Sequence, residues 1–277
     1  MNNKLLIFFS VLFYGLFAQA KPKIVTSIMP VASIISMLTE DHVEIVSINT
    51  SSGCPHHHQM KPSDLDKISG ADMLIYIDDY FDGSAKKTAK NFEGKIVKIS
   101  DIKTINFIGE NNIVNWHFWL DLDNVLALQE EVANVIIKEM PQLKTVISDN
   151  KEKAGFQINY LKQLKQNELN SLPELVVASD SMEHFFKGAD ANIIKLYQKS
   201  NSSLKDYQNL ERALNTTSSQ FIIVDKNQNS DIYHKFNKKI IRVDSENWTM
   251  TDNENITELF SARYLDIINL LKQIAQK

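Results

Sequence analysis

The stretch Gly53-Cys54-Pro55-His56-His57-His58-Gln59-Met60-Lys61-Pro62-Ser63-Asp64 organises the reading of this chain. Three adjacent histidines stand between two prolines, and Pro62-Ser63-Asp64 carries residue types that open a helix. Imidazole is the commonest metal ligand among side chains. A loop stiffened by proline at both ends can present such a ring without help from a helix or strand. Taken alone, the stretch reads equally well as a solvated polar loop, so the sequence on either side has to decide.

Working outward, both flanks alternate strand with helix. Upstream, the β-branched run at 23–28 predicts a strand, Met29-Pro30 ends it, and residues 31–38 carry apolar side chains at helical spacing. Residues 43–48 form a second strand pattern that delivers the chain directly to the histidines. Downstream, a helix from Pro62 through Ile68 is closed by Gly70-Ala71-Asp72, and 73–77 is a continuous apolar run of the kind buried in a parallel sheet. A further strand is expected at 95–99. This alternation predicts an α/β lobe.

Asn115-Trp116-His117-Phe118-Trp119-Leu120-Asp121 follows, a lone histidine among aromatics. Such a histidine is more often a satisfied core residue than a ligand. A helix is expected at 123–140, and a second one at 141–171 with Ile158, Leu161, Leu164 and Leu169 on one face. Its length predicts a strut connecting two α/β halves rather than a core element. The second half repeats the alternation. Strands are expected at 175–178, 193–197, 221–224 and 239–243, and a helical stretch holds Phe185 and Phe186. Further helices are expected at 204–214, 230–236 and 256–275. The expected organisation is therefore a signal peptide at 1–20, an N-terminal lobe at 21–140, a linker helix at 141–171 and a C-terminal lobe at 172–277.

The bulk properties exclude several classes. At 277 residues, with 43% hydrophobic and 23% charged residues, the chain has the composition of a soluble globular protein large enough for two cores. A net charge of −4 and the lack of a basic stripe argue against nucleic acid as a partner. Lys4, the apolar run at 5–17 and Ala18-Gln19-Ala20 form a secretory signal with cleavage expected after Ala20, and the apolar run is short for a membrane span. With no cysteine at the end of that signal for lipid attachment, a free periplasmic protein is expected. Cys54 is the single cysteine, so no intrachain disulfide can form. It adjoins the histidines, but Pro55 turns the chain between it and His56, which argues against it as a thiolate ligand.

Ligands in open α/β sheets bind beyond the carboxyl ends of the strands. Four potential metal ligands lie at such places: His56 and His117 in the first half, Asp180 and Asp244 after strands of the second. An aspartate after a strand is often only a helix cap, but two ligands from each lobe would clamp one ion in the cleft between them.

These residues resemble the metal-binding solute-binding proteins of ABC importers for zinc and manganese, over essentially the whole chain beyond the signal. Pro55-His56 with Pro62-Ser63-Asp64 matches that family's Pro-His loop, and Gly70-Ala71-Asp72 matches its Gly-Ala-Asp before a strand. His117-Phe118-Trp119-Leu120 matches its His-x-Trp-Leu segment, and Asp244-Ser245 matches its fourth ligand followed by a small residue. The resemblance implies two α/β lobes with parallel sheets joined by one long linker helix, with the metal site in the cleft. It implies His56, His117, Asp180 and Asp244 as ligands. The third of these departs from the pattern, since zinc members have His there and manganese members Glu after Ser. Here Ser179 precedes Asp180, a carboxylate one carbon shorter. His184, about one helical turn on, stands as the alternative; water, His57 or His58 is a third way to complete the site.

The function so implied is a periplasmic receptor that hands a divalent transition metal to an ABC permease in the inner membrane. Zn2+ is the first expectation for the transported ligand and Mn2+ the second, because two imidazoles and two carboxylates suit either ion and zinc stands higher in the affinity order. A monomer without enzymatic activity is expected. The rival readings are a secreted zinc-dependent hydrolase, which lacks a His-Glu-x-x-His sequence here, and a metal-binding adhesin or metallochaperone on the same fold.

Overall fold

The computed structural model describes residues 20–50, 60–110, 113–189, 193–197, 203–246 and 248–275. The histidine run, Cys54 and nearly all of the expected signal peptide lie outside the described residues. The N-terminal lobe is built on strands β1 (Lys23–Ile28), β2 (Glu44–Asn49), β3 (Met73–Tyr76) and β4 (Lys95–Lys98). They form a parallel sheet in the order β2-β1-β3-β4. The central strands β1 and β3 are buried almost throughout, whereas the edge strands β2 and β4 are partly exposed. That is the burial expected when helices cover both faces of a parallel sheet.

Helix α1 (Met29–Thr39) leaves β1 without a loop, and every one of its residues is buried. Pro30 sits in its first turn, where a missing N–H costs nothing. The hydroxyls of this all-round buried helix are satisfied within it: Ser33 donates to the Pro30 carbonyl at 2.8 Å and Ser36 to that of Ser33 at 2.9 Å. Helices α2 (Pro62–Ile68) and α3 (Gly83–Ala89) complete the lobe's crossovers. A short antiparallel hairpin, β5 (Ile108–Glu110) and β6 (Ile113–Asn115), leads into a one-turn 3-10 segment at Phe118–Leu120.

Helix α4 (Leu122–Glu139) is capped by Asp121, whose carboxylate accepts the Asp123 N–H at 3.0 Å. A 3-10 turn at Pro141–Leu143 opens the long helix α5 (Lys144–Leu169). The C-terminal lobe holds β7 (Leu175–Val177), β8 (Ile193–Lys195), β9 (Phe221–Asp225) and β10 (Lys239–Val243), with helix α6 (Leu204–Thr216) between β8 and β9. Its parallel sheet runs β10-β9-β7-β8. Numbered within its own lobe, that is the same order as the first sheet read from the other edge. The two-lobe α/β class with parallel sheets is thus the one the sequence predicts.

Helix α5 is the long helix between the lobes that the sequence predicts, but it packs as part of the core instead of standing as a bare strut. It lies against α1, α4 and the final helix α7 (Ile256–Ala275), burying Ile147, Ala154, Ile158, Leu161 and Leu169. Those side chains belong to one apolar cluster that continues from Ile24 and Ile35 in the first lobe to Val177, Ile223 and Val243 in the second. The weak apolar pattern has a physical cause: two of the buried positions are polar. Asn150 donates to the Leu38 carbonyl at 3.2 Å, and Lys165 donates to the Phe185 carbonyl at 3.2 Å while lying over the Phe185 ring.

Candidate metal centre

The segment that carries His117 is hydrogen-bonded across to the C-terminal lobe, and Asn115 is its anchor. The Asn115 side-chain carbonyl accepts the His117 backbone N–H at 3.1 Å and ring Nδ1–H at 2.8 Å. Its amide nitrogen donates to the Asp180 carbonyl at 2.7 Å and to the Glu183 carboxylate at 3.3 Å. Its backbone carbonyl accepts from His184 Nε2 at 3.0 Å. An asparagine two residues ahead of a histidine is a local Asx-turn pattern, and this was the one signal in the sequence that could have singled it out.

These bonds place a proton on Nδ1 of His117, because the Asn115 side-chain oxygen can only accept. Because Nδ1 donates to an amide oxygen, Nε2 is the nitrogen a metal ion could take, by displacing the proton it shares with its present partner. It faces the carboxylate of Glu246, with Oε1 at 2.6 Å, and both side chains are nearly enclosed, 9% and 11% exposed. Trp119, tilted against the imidazole, donates its indole N–H to the Ser245 carbonyl at 3.0 Å and so ties the same two segments together, two residues after His117 and one before Glu246. Two more bonds extend the seam: the Tyr264 hydroxyl donates to the Leu120 carbonyl at 3.0 Å, and Lys187 pairs with the buried carboxylate of Asp121.

On the C-terminal side a polar network lies across the strand ends. Asp225, buried at the end of β9, accepts from Ser245 through both its hydroxyl and its backbone N–H, and from the Asn227 N–H at 2.8 Å. The Ser245, Ser181 and Ser179 hydroxyls stand within 2.8 and 2.9 Å of one another in sequence. This network holds the turn after β7 against the segment after β10, the two places from which Asp180 and Asp244 arise.

The four sequence-predicted ligands fare differently. His117 is buried in the seam with Nε2 directed at a carboxylate. Asp180 is the first residue of a 3-10 turn, with its backbone carbonyl against Asn115 and its side chain exposed. The Asp244 carboxylate is partly exposed and stands 3.6 Å from Lys226 Nζ, while its carbonyl accepts the Trp248 indole N–H at 3.2 Å. His56 lies outside the described residues, as do His57 and His58. Among the described residues no three His, Cys, Asp or Glu side chains come close enough together to hold an ion. What they bring together is His117 and Glu246, and Glu246 is a residue that the sequence pattern does not single out.

His184, the alternative for the third position, is fully buried. Burial pushes its pKa down to about 4, so the ring is neutral at physiological pH. A backbone carbonyl can only accept, so Nε2 carries the proton and donates to Asn115. The other nitrogen, Nδ1, is a buried lone pair with no protein partner.

Comparison with known proteins agrees with this architecture. The family model described as zinc-uptake complex component A, periplasmic, matches residues 24–276. A protein of Rickettsia prowazekii without an assigned function is 40% identical over 271 residues, covering 97% of this chain and 88% of its own. The manganese ABC transporter substrate-binding lipoprotein PsaA of Streptococcus pneumoniae is 26% identical over 208 residues, 66% of this chain and 67% of its own. Other relatives carry names for zinc and for iron. Among solved structures, the periplasmic zinc-binding protein TroA of Treponema pallidum superposes with a TM-score of 0.77 at 16% identity, covering 92% of this chain and 99% of that one. At that identity the likeness speaks for the fold.

Proposed function

Because this chain belongs to the periplasmic zinc-uptake component family of metal ABC transporter substrate-binding proteins, we propose that it is an extracytoplasmic receptor for a divalent transition metal, with zinc favoured over manganese. The observation that carries the reading is the His117 ring. It is fixed through Nδ1 by Asn115, nearly enclosed, and aims Nε2 at a carboxylate of the opposite lobe. A metal ligand oriented through its second nitrogen by a hydrogen-bonding partner is the usual design of a histidine site. His117 and His56 from one lobe with Asp180 and Asp244 from the other remain the proposed ligand set.

Capture then needs no bond to be made or broken in a substrate. The ion replaces protons on its ligands and joins two lobes through a single coordination sphere, so its affinity falls as the solution becomes more acidic. The apolar cluster continues through both lobes and α5 is part of it. Wide hinge opening would expose that core, so uptake and release proceed by small movements of loops and lobes. The released ion passes to the membrane permease with which such receptors work.

Thermal melting of the metal-stripped protein tests the reading. Zinc at 100 times its dissociation constant is expected to stabilise the fold by about 2.7 kcal/mol, and His117→Ala should abolish that gain. Asp180→Ala and His184→Ala then divide the third position: loss with the first alone marks a carboxylate site, loss with the second alone a site richer in histidine. A midpoint unmoved by zinc, manganese and iron alike would sink the proposal.

A further inference from the structure

We propose that Glu246 is itself a ligand of the transported ion, the carboxylate through which the C-terminal lobe closes on His117. This inference rests on the receptor reading above and adds to it a residue beyond the four read from the sequence pattern.

Three observations carry it. First, Glu246 Oε1 is 2.6 Å from His117 Nε2, a contact that shares a proton which a metal ion would displace, while Nδ1 is committed to Asn115. A cation that binds His117 through Nε2 must enter where the Glu246 carboxylate now stands. Second, the distance is right for insertion. Metal–nitrogen and metal–oxygen bonds of about 2.0–2.2 Å at a tetrahedral angle place the two donor atoms about 3.4 Å apart. The pair therefore opens by less than about 1 Å to admit an ion, a side-chain adjustment rather than a rearrangement.

Third, Glu246 is delivered to this place by a fixed segment. Ser245, immediately before it, is held by Asp225 through its hydroxyl and backbone N–H, and by Trp119 through its carbonyl. Two residues before it, the Asp244 carbonyl is held by the Trp248 indole. A carboxylate on such a segment, only 11% exposed, is aimed into the seam and does not hang in solvent. Its chemistry suits a divalent ion of the zinc and manganese class, which accepts imidazole and carboxylate together.

Calorimetric titration of zinc into the metal-stripped full chain tests this, comparing the wild type with Glu246→Gln, Glu246→Asp, Asp244→Asn and His117→Ala. Loss of a ligand should weaken binding by more than the roughly 10–100-fold seen when only an outer-shell partner is removed. The expected result is that order of loss in Glu246→Gln and partial recovery in Glu246→Asp, with the metal-free melting midpoint of Glu246→Gln close to wild type. The visible spectrum of bound Co2+ should also change between wild type and Glu246→Asp. If Glu246→Gln binds zinc as tightly as wild type, or more tightly, the carboxylate is a bystander or a competitor and the inference is overturned. In that case loss of affinity in His117→Ala or Asp244→Asn would leave the receptor reading standing. If the wild type binds no metal, the receptor reading itself fails.

Discussion

In the N-terminal lobe β1 passes at Ile28 straight into α1, a helix with no exposed residue. In the C-terminal lobe β7 holds the equivalent place in the strand order, yet it ends in Ser179-Asp180 and a single 3-10 turn whose hydroxyls bond across to Ser245. The same topology thus carries a core element at one strand exit and a polar platform at the other. Apolar burial dominates the first and holds the molecule together. Directed hydrogen bonds dominate the second, contributing about 1 kcal/mol each to stability but placing side chains with little tolerance. Stability and metal binding should therefore separate between the lobes.

The sharpest way to break that contrast is a cavity in α1. Ile35→Ala removes a fully buried side chain from the continuous cluster and is expected to lower stability by about 2–5 kcal/mol. Zinc affinity, measured by titration at a temperature where the variant remains folded, should stay within a few-fold of wild type. A large loss of affinity would mean that the core and the site are one cooperative unit.

Acidity separates the lobes in a second way. Asp82, buried beside the exit of β3, has its pKa pushed up to about 7 by burial, despite an N–H bond from Ile77 at 2.6 Å. Between its ordinary 3.8 and 7 the native chain keeps a proton that the unfolded chain has lost, so this contribution favours folding at low pH and fades as pH rises towards 7. His184 acts in the opposite sense. Between 6.5 and about 4 the unfolded chain takes up a proton that the buried ring refuses, so stability is full above 6.5 and falls as pH drops. Each group tilts stability by up to about 1.4 kcal/mol per pH unit within its window. In Asp82→Asn the melting midpoint should fall more steeply than wild type between pH 7 and 5. In His184→Gln it should fall less steeply, or rise. Parallel curves for Asp82→Asn and wild type would show that Asp82 stays ionised down to pH 5.

Much of the fold was legible because its elements obey single periods. The strand at Lys239–Val243 and the helix at Ile256–Ala275 lie where the pattern puts them, and the apolar runs leading into β3 and β7 announce a parallel sheet. Helix α3 was missed because Gly83–Ala89 contains two lysines and no long apolar side chain. The hairpin β5–β6 was missed because three-residue strands are too short to show alternation. Of the site, His117 could be singled out only through the resemblance of His117-Phe118-Trp119-Leu120 to a family segment, since its aromatic neighbours by themselves suggest a core residue. Asn115 and Glu246 were not, because each acts through partners brought close only by folding: Asp180, Glu183 and His184 for the first, and His117 for the second. Local sequence shows that a residue can donate, accept or ligate. It does not show what will face it.

The finest test of the contrast compares two bonds that close the same seam. Trp119 donates to Ser245, and Tyr264 donates to Leu120. Both donors are fully buried and both acceptors are backbone carbonyls. Trp119→Phe and Tyr264→Phe each strand a buried carbonyl, which costs about 1–3 kcal/mol, and Trp119→Phe adds the cost of a cavity, so stability alone does not report on the site. Their positions separate them. Ser245 lies between Asp244 and Glu246, so freeing its carbonyl loosens the segment that carries both carboxylates. Leu120 lies beyond His117, whose ring has its own anchor in Asn115. Trp119→Phe is therefore expected to weaken zinc binding about tenfold, within the range of lost outer-shell support, while Tyr264→Phe leaves affinity unchanged. Equal affinities in the two variants would mean that the polar platform of the C-terminal lobe only holds the seam shut, and that the placement of its carboxylates does not depend on Ser245.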